Sequence, residues 1–215
     1  DLDPKCKELK YNNKNDNIQV ISGDVNTKET KEKITKYSKF DIILDDGSHN
    51  SNDIVKSFCN YFNHLKDGGL FIIEDLHCSY YQEHGGGLCY PISSINFFKK
   101  LVDIINFEHW GIDKKKEWLL RGFFENYKIN IENLELDHIH SVEFVNSLCF
   151  INKQNPKFNK IGKRIVVGES ATVVSDRKKL NNTDITILNQ SSNPWSNNDL
   201  LPEEELEILK NKLKR

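Results

Sequence analysis

Residues 40–87, FDIILDDGSHNSNDIVKSFCNYFNHLKDGGLFIIEDLHCSYYQEHGGG, constrain this chain more than any other stretch. Residues 40–44 and 70–73 are short apolar runs rich in β-branched side chains, the pattern of strands buried on both faces. Between them Ile54, Val55, Phe58, Cys59, Tyr61, Phe62 and Leu65 recur at helical spacing. Ser51 or Asn52 is the expected N-cap, and Gly68-Gly69 the expected stop. Strand, helix and strand in this order predict a βαβ unit, with parallel strands and a right-handed crossover.

Parallel strands end on one side of the sheet, and open α/β sheets bind ligands beyond those ends. The first strand runs into Asp45-Asp46-Gly47-Ser48-His49 and the second into Glu74-Asp75-Leu76-His77. Neighbouring strands lie about 4.8 Å apart, so four carboxylates and two imidazoles crowd one rim. Such carboxylates need a cation or a shared proton to relieve their repulsion. Their oxygens suit Mg²⁺, Mn²⁺ or Ca²⁺ better than zinc. Asp-Asp-Gly is also a good turn, and an acidic strand end can simply cap the next helix. Two such loops on consecutive strands favour the metal site.

The same two motifs resemble those of metal-dependent class I S-adenosylmethionine O-methyltransferases that act on sugar hydroxyls, the macrocin and mycinamicin group. The resemblance runs from residue 1 to about residue 153. It implies a Rossmann-like α/β sheet, mostly parallel with a closing antiparallel hairpin. It also implies S-adenosylmethionine and Mg²⁺ (or Mn²⁺) as cofactors. Carried over by position, Asp46, Glu74 and Asp75 hold the metal and His49 is the general base. Asp1, Gly23, Asp24 and Asp45 fall on the cofactor side, with Asp1 at the ribose and Asp24 at the adenine amino group. His77, Tyr80 and Tyr81 border the sugar. A bland reading stands beside several of these: Asp1 as a terminus without a role, Gly-Asp as a common turn, and the histidine and tyrosines as solvated or packed loop residues.

Asp1-Leu2-Asp3-Pro4 reads as the end of a strand, and no GxGxx pattern follows a strand anywhere in the chain. The first strand and its glycine-rich loop are therefore expected upstream, making this a fragment of a longer protein. Residues 17–22 are the expected next strand, and 27–37 a polar helix capped by Thr27. Residues 93–107 predict an amphipathic helix with Ile95, Phe98, Leu101, Val102 and Ile105 on its apolar stripe. Residues 114–127 are a shorter helix or an insertion. Two strands, 138–144 and 147–153, flank a turn at Val145-Asn146.

Residues 1–153 are thus the expected methyltransferase domain. Residues 154–215, rich in Asn, Ser and Lys, are the expected appendage or linker, with strand-like runs at 165–167, 172–174 and 185–188 and a terminal helix over 201–214. A net charge of −2 gives no sign of a nucleic-acid partner. No run approaches the length of a membrane span, and no signal-peptide pattern opens the chain. Five scattered cysteines without CxxC spacing fit a reducing cytoplasm. The expected partner is a glycan or a glycosylated small molecule. Related enzymes often assemble through their edges, so the resemblance allows a homo-oligomer. Two other functions fit the same rim. One is another metal enzyme, such as a hydrolase or an iron oxygenase using His49, His77 and one Asp. The other is a truncated non-catalytic module.

Overall fold

A computed structural model describes residues 1–8, 18–37, 39–130, 134–168 and 176–196, together with Glu204, Glu207, Ile208, Asn211 and Lys212. Strands β1 (Phe40–Asp45) and β2 (Leu65–Ile73) run parallel, with Ile43 opposite Phe71 and Asp45 opposite Ile73. Helix α2 (Ser51–Tyr61) makes the crossover between them. Its N-cap is Asn50, one residue earlier than expected. Asn50 has the extended backbone a cap needs, and its side-chain oxygen accepts from the Asn52 amide at 3.1 Å. Ser51 instead turns inward, its hydroxyl accepting from the Ser94 amide at 3.1 Å.

Gly68 and Gly69 do not stop the helix. A 3₁₀ turn at Phe62–His64 ends it, and both glycines lie inside β2. The ladder jumps from Phe40–Leu65 to Ile42–Leu70, leaving Lys66–Gly69 as an irregular bulge. A Cβ on Gly69 would sit 2.8 Å from the Asp41 carbonyl oxygen, so close backbone approach explains the residue.

Helix α3 (Ser94–Ile105) buries Phe97, Phe98, Leu101 and Ile104, while Val102 is exposed. The buried face is therefore rotated towards Phe97 relative to the expected stripe. Phe58 of α2 is the hub of the core. Its ring lies 5.3 Å from Phe71, 5.7 Å from Phe97 and 5.6 Å from Phe98, all edge-to-face. Fully burying such a side chain contributes about 1.5–3 kcal/mol, and each edge-to-face pair roughly 0.5–1.5 kcal/mol more. Helix α4 (Lys116–Tyr127) joins through Phe123, 5.3 Å from Phe97.

Strands β3 (Ile139–Val145) and β4 (Leu148–Lys153) form the closing antiparallel hairpin, turning at Asn146-Ser147. The sheet order is β1-β2-β4-β3, with β4 antiparallel to β2. The chain is thus mixed α/β, with one parallel pair and a hairpin among the described strands. β1 is covered on one face only: Ile42 is 61% and Leu44 52% exposed, where the sequence predicts burial on both faces.

The polar helix predicted over 27–37 is α1 (Lys28–Thr35), and Thr27 caps it. The described part of the strand expected over 17–22 has no strand assignment. The runs at 165–167 and 185–188 have none either, and 172–174 lies outside the described residues. The expected terminal helix is helical at its described positions. No helix among the described residues is long and apolar enough to cross a membrane.

Candidate active site

The Glu74 amide donates to the Asp45 carbonyl at 3.0 Å, which carries the β1–β2 ladder to its end. Both acidic loops consequently leave the sheet side by side. His49 Nε2 lies 3.8 Å from Asp46 Oδ1 and 3.7 Å from Asp75 Oδ2. One ligand atom from each of these three residues falls within 4.8 Å of the others, a group able to hold a metal ion. The first loop is pinned to α2: Ser48 Oγ donates to Asp53 Oδ2 at 2.7 Å and accepts from the Asn50 amide at 3.3 Å. Glu74 is half-buried and does not enter this trio. Asp75, in left-handed backbone at φ 50°, turns its carboxylate towards His49.

Asp45, the last residue of β1, is half-buried. Burial raises its carboxyl above the ordinary range, and the Asp46 charge adds to the rise. A hydrogen bond from Ser57, the nearby His49 and the Gly47 amide oppose it. Its Oδ2 is buried with no hydrogen-bond partner.

Beside the trio lies a cavity of about 530 Å³ lined by Asp1, Gly23, Asp24, Asp45 and Asp46, among others. The Asp1 amine donates to the Ile21 carbonyl at 3.2 Å, and the Gly23 amide donates back to the Asp1 carbonyl at 2.8 Å. That alternation is the bonding pattern of a parallel pair, and it sets Asp1 opposite Ser22 and next to Gly23. Gly23 holds φ 149°, and a Cβ there would meet Thr30 Oγ1 at 2.3 Å. The Asp24 carboxylate accepts from the Asn26 amide at 2.8 Å, and Tyr61 donates its hydroxyl to the Val25 carbonyl at 2.6 Å. The four residues expected on the cofactor side therefore share one cavity wall.

No protein-family model matches the chain. Mycinamicin VI 2''-O-methyltransferase from Micromonospora griseorubida is 33% identical over 133 residues, 60% of this chain and 31% of that protein. Demethylmacrocin O-methyltransferase from Streptomyces fradiae is 37% identical over 90 residues, 40% of this chain and 23% of that protein. Among solved structures, the MycE methyltransferase of the mycinamycin biosynthetic pathway, in complex with Mg, SAH and mycinamycin VI, aligns with a TM-score of 0.50. Its identity is 26%, and the alignment covers 64% of this chain and 32% of that one. This chain resembles sugar O-methyltransferases. It spans under a third of the length of the relatives it matches.

On this methyltransferase-like sheet, one residue at the rim escapes the sequence reading. The hairpin turn brings Ser147 to the end of β2, where its carbonyl accepts from the Leu76 amide at 2.9 Å. Its hydroxyl lies 2.7 Å from His77 Nδ1 and 3.5 Å from Asp75 Oδ1, linking His77 to the trio. An antiparallel neighbour begins where β2 ends, so the topology itself was the available signal. Tyr80 borders a cleft of about 370 Å³ together with His77 and Ser147. Tyr81 packs edge-on against His77, with ring centres 5.8 Å apart.

Proposed function

We propose that this chain belongs to an enzyme that transfers a methyl group from S-adenosylmethionine to a sugar hydroxyl with the help of Mg²⁺ or Mn²⁺. One observation carries the reading. Two carboxylates and an imidazole converge within 4.8 Å at the carboxyl ends of parallel strands. The donor set fits the ion, because carboxylate oxygens suit hard divalent cations. Asp46 and Asp75 would hold it, with Glu74 recruited by a side-chain rotation.

When bound, the cation polarises the acceptor hydroxyl and S-adenosylmethionine supplies the methyl group. The remaining work falls to the chain's own side chains. With the cation held by carboxylates alone, the His49 imidazole beside them stays unligated and takes the proton of the acceptor hydroxyl as general base. Asp1, Gly23, Asp24 and Asp45 line the cavity that takes the nucleoside end of the cofactor. His77, Tyr80 and Tyr81 orient the sugar, the tyrosines offering faces for its apolar side. Residues 1–153 form the catalytic unit and 154–215 its appendage. Five free cysteines, with Cys89 exposed, suit a reducing cytoplasm. The relatives' names support a glycosylated small molecule as acceptor.

Calorimetric titration of S-adenosylhomocysteine with and without Mg²⁺ tests the reading. Mg²⁺ is expected to tighten binding, and Asp46→Asn or Asp75→Asn to remove that effect. The titration is run on this chain and on one extended upstream of Asp1, and absence of binding by the extended chain under both conditions would overturn it.

A further inference from the structure

The chain contains three tryptophans, and all three line one cavity away from the metal trio. This cavity, of about 660 Å³, lies between α3, α4 and the segment that carries Trp195. Trp110 is held by a hydrogen bond from its ring nitrogen to the Asp103 carbonyl at 2.9 Å. Trp118 lies 6.5 Å from it, inclined at 67°, and the Arg121 guanidinium sits 4.6 Å from the Trp118 ring centre. Trp195 also lines the cavity yet is 92% exposed, so it stands at the mouth.

Local structure fixes Trp195 there. Gly111, at φ 66°, accepts at its carbonyl from the Gln190 amide at 2.8 Å, and a Cβ on it would meet the Leu188 carbonyl oxygen at 2.2 Å. Asn193 then accepts from the Trp195 amide at 3.0 Å, closing the turn that presents the ring.

Lys99 and Lys100 of α3 join Arg121, whose guanidinium also donates to the Trp118 carbonyl at 2.7 Å, on the cavity wall, and Asp103 is the one carboxylate among the described lining residues. Lys99 also lines the cleft of His77, Tyr80 and Ser147. Ser147 Oγ is 3.5 Å from Asp75 Oδ1, so Lys99 stands between the tryptophan cavity and the rim. Indole faces cover the apolar face of a pyranose, while cations pair with an anionic substituent. Asp103 offers an acceptor for sugar hydroxyls and disfavours a polyphosphate backbone. The inclined Trp110–Trp118 pair leaves no parallel slot between the two rings for a flat base.

We propose that the tryptophan cavity binds an anionic saccharide, a sugar bearing a carboxylate or a phosphate. It holds the portion of the acceptor remote from the methylated hydroxyl. Only this second part rests on the methyltransferase reading; the binding stands without it.

Intrinsic fluorescence tests the proposal cleanly, because every tryptophan of the chain faces this cavity. Trigalacturonate, glucose 6-phosphate and neutral maltotriose are titrated without Mg²⁺ or cofactor. A saturable emission change from an acidic sugar, about tenfold tighter than from maltotriose, is the expected result. The tighter of the two acidic probes identifies the anion. Lys100→Ala should weaken that binding by a similar factor with an unchanged circular dichroism spectrum.

Equal binding of neutral and acidic sugars would overturn the proposal, as would no response to either acidic probe. A tighter response to a single-stranded oligonucleotide would overturn it too. The two readings fail separately. A fluorescence response with no S-adenosylhomocysteine binding by the chain extended upstream of Asp1 sinks the methyltransferase and keeps the cavity; the reverse sinks the cavity alone.

Discussion

His49 Nε2 and Asp75 Oδ2 lie 3.7 Å apart, and both residues hold left-handed backbone, at φ 56° and φ 50°. Each such residue costs roughly 1–2 kcal/mol when it is not glycine. Two of them, in the loops that follow consecutive parallel strands, mark strain that the surrounding structure must hold in place. Ser48 bonded to Asp53 restrains the first loop, and the Leu76–Ser147 hydrogen bond restrains the second.

The first prediction separates chemistry from strain at His49. His49→Ala should lower methyl transfer by about 10²–10⁴-fold, the usual contribution of a general base, while S-adenosylhomocysteine binding is retained. His49→Gly should lose the same activity but, relieved of the left-handed cost, exceed the alanine variant in stability by about 1 kcal/mol. Urea unfolding of the two variants measures the difference; equal midpoints would show that the loop is not strained there.

The second prediction concerns the loop beside the rim. A Cβ on Gly86 would lie 2.0 Å from the Ser79 carbonyl oxygen, which also accepts from the Gly87 amide at 2.9 Å. Ser79 cannot yield easily, because its hydroxyl is buried against Ser94 at 2.7 Å. Gly86→Ala should therefore destabilise the chain by about 1–3 kcal/mol, as overpacking does. Chemical denaturation reads it, and an unchanged midpoint would mean the loop lifts away freely.

The third prediction is a pH dependence. Burial, helped by the charges of Asp24 and Asp45, pushes the Tyr61 phenol up to about 12, against an ordinary value near 10. Between those values the unfolded chain releases this proton while the folded chain keeps it. The folded state then binds more protons, and stability falls as pH rises through the window. Tyr61→Phe should flatten that alkaline slope. Below pH ~10 it should cost about 1 kcal/mol for the hydrogen bond to Val25. Urea midpoints from pH 8 to about 11.5 measure both effects, and parallel slopes for the two proteins would contradict the assignment.

Much of the candidate site's geometry was legible because its signals are local. The apolar runs ending in Asp45-Asp46 and Glu74-Asp75 form neighbouring parallel strands, and Asp46, His49 and Asp75 meet as those strand ends imply. Glu74 stands apart, because a motif gives residue types without side-chain directions, and the left-handed turn at Asp75 decides which carboxylate faces His49. The glycine pair at 68–69 misled for a related reason. Glycine marks both helix stops and close backbone contacts, and only the approach of Asp41 distinguishes them here. The buried face of α3 shifted because Phe97 meets Phe58 and Phe123, partners far away in sequence.

Alone, the sequence determined which segments form the βαβ unit and that its acidic loops share one rim. Hydrophobic periodicity and turn chemistry act within a few residues and can be read in order along the chain. Only the tertiary structure decided that Ser147 joins His77 to Asp75. It also decided that Gly111 seats the turn bearing Trp195, and that three tryptophans scattered over 86 positions of sequence line one cavity. Such meetings depend on how elements pack at long range, and no local pattern encodes that distance.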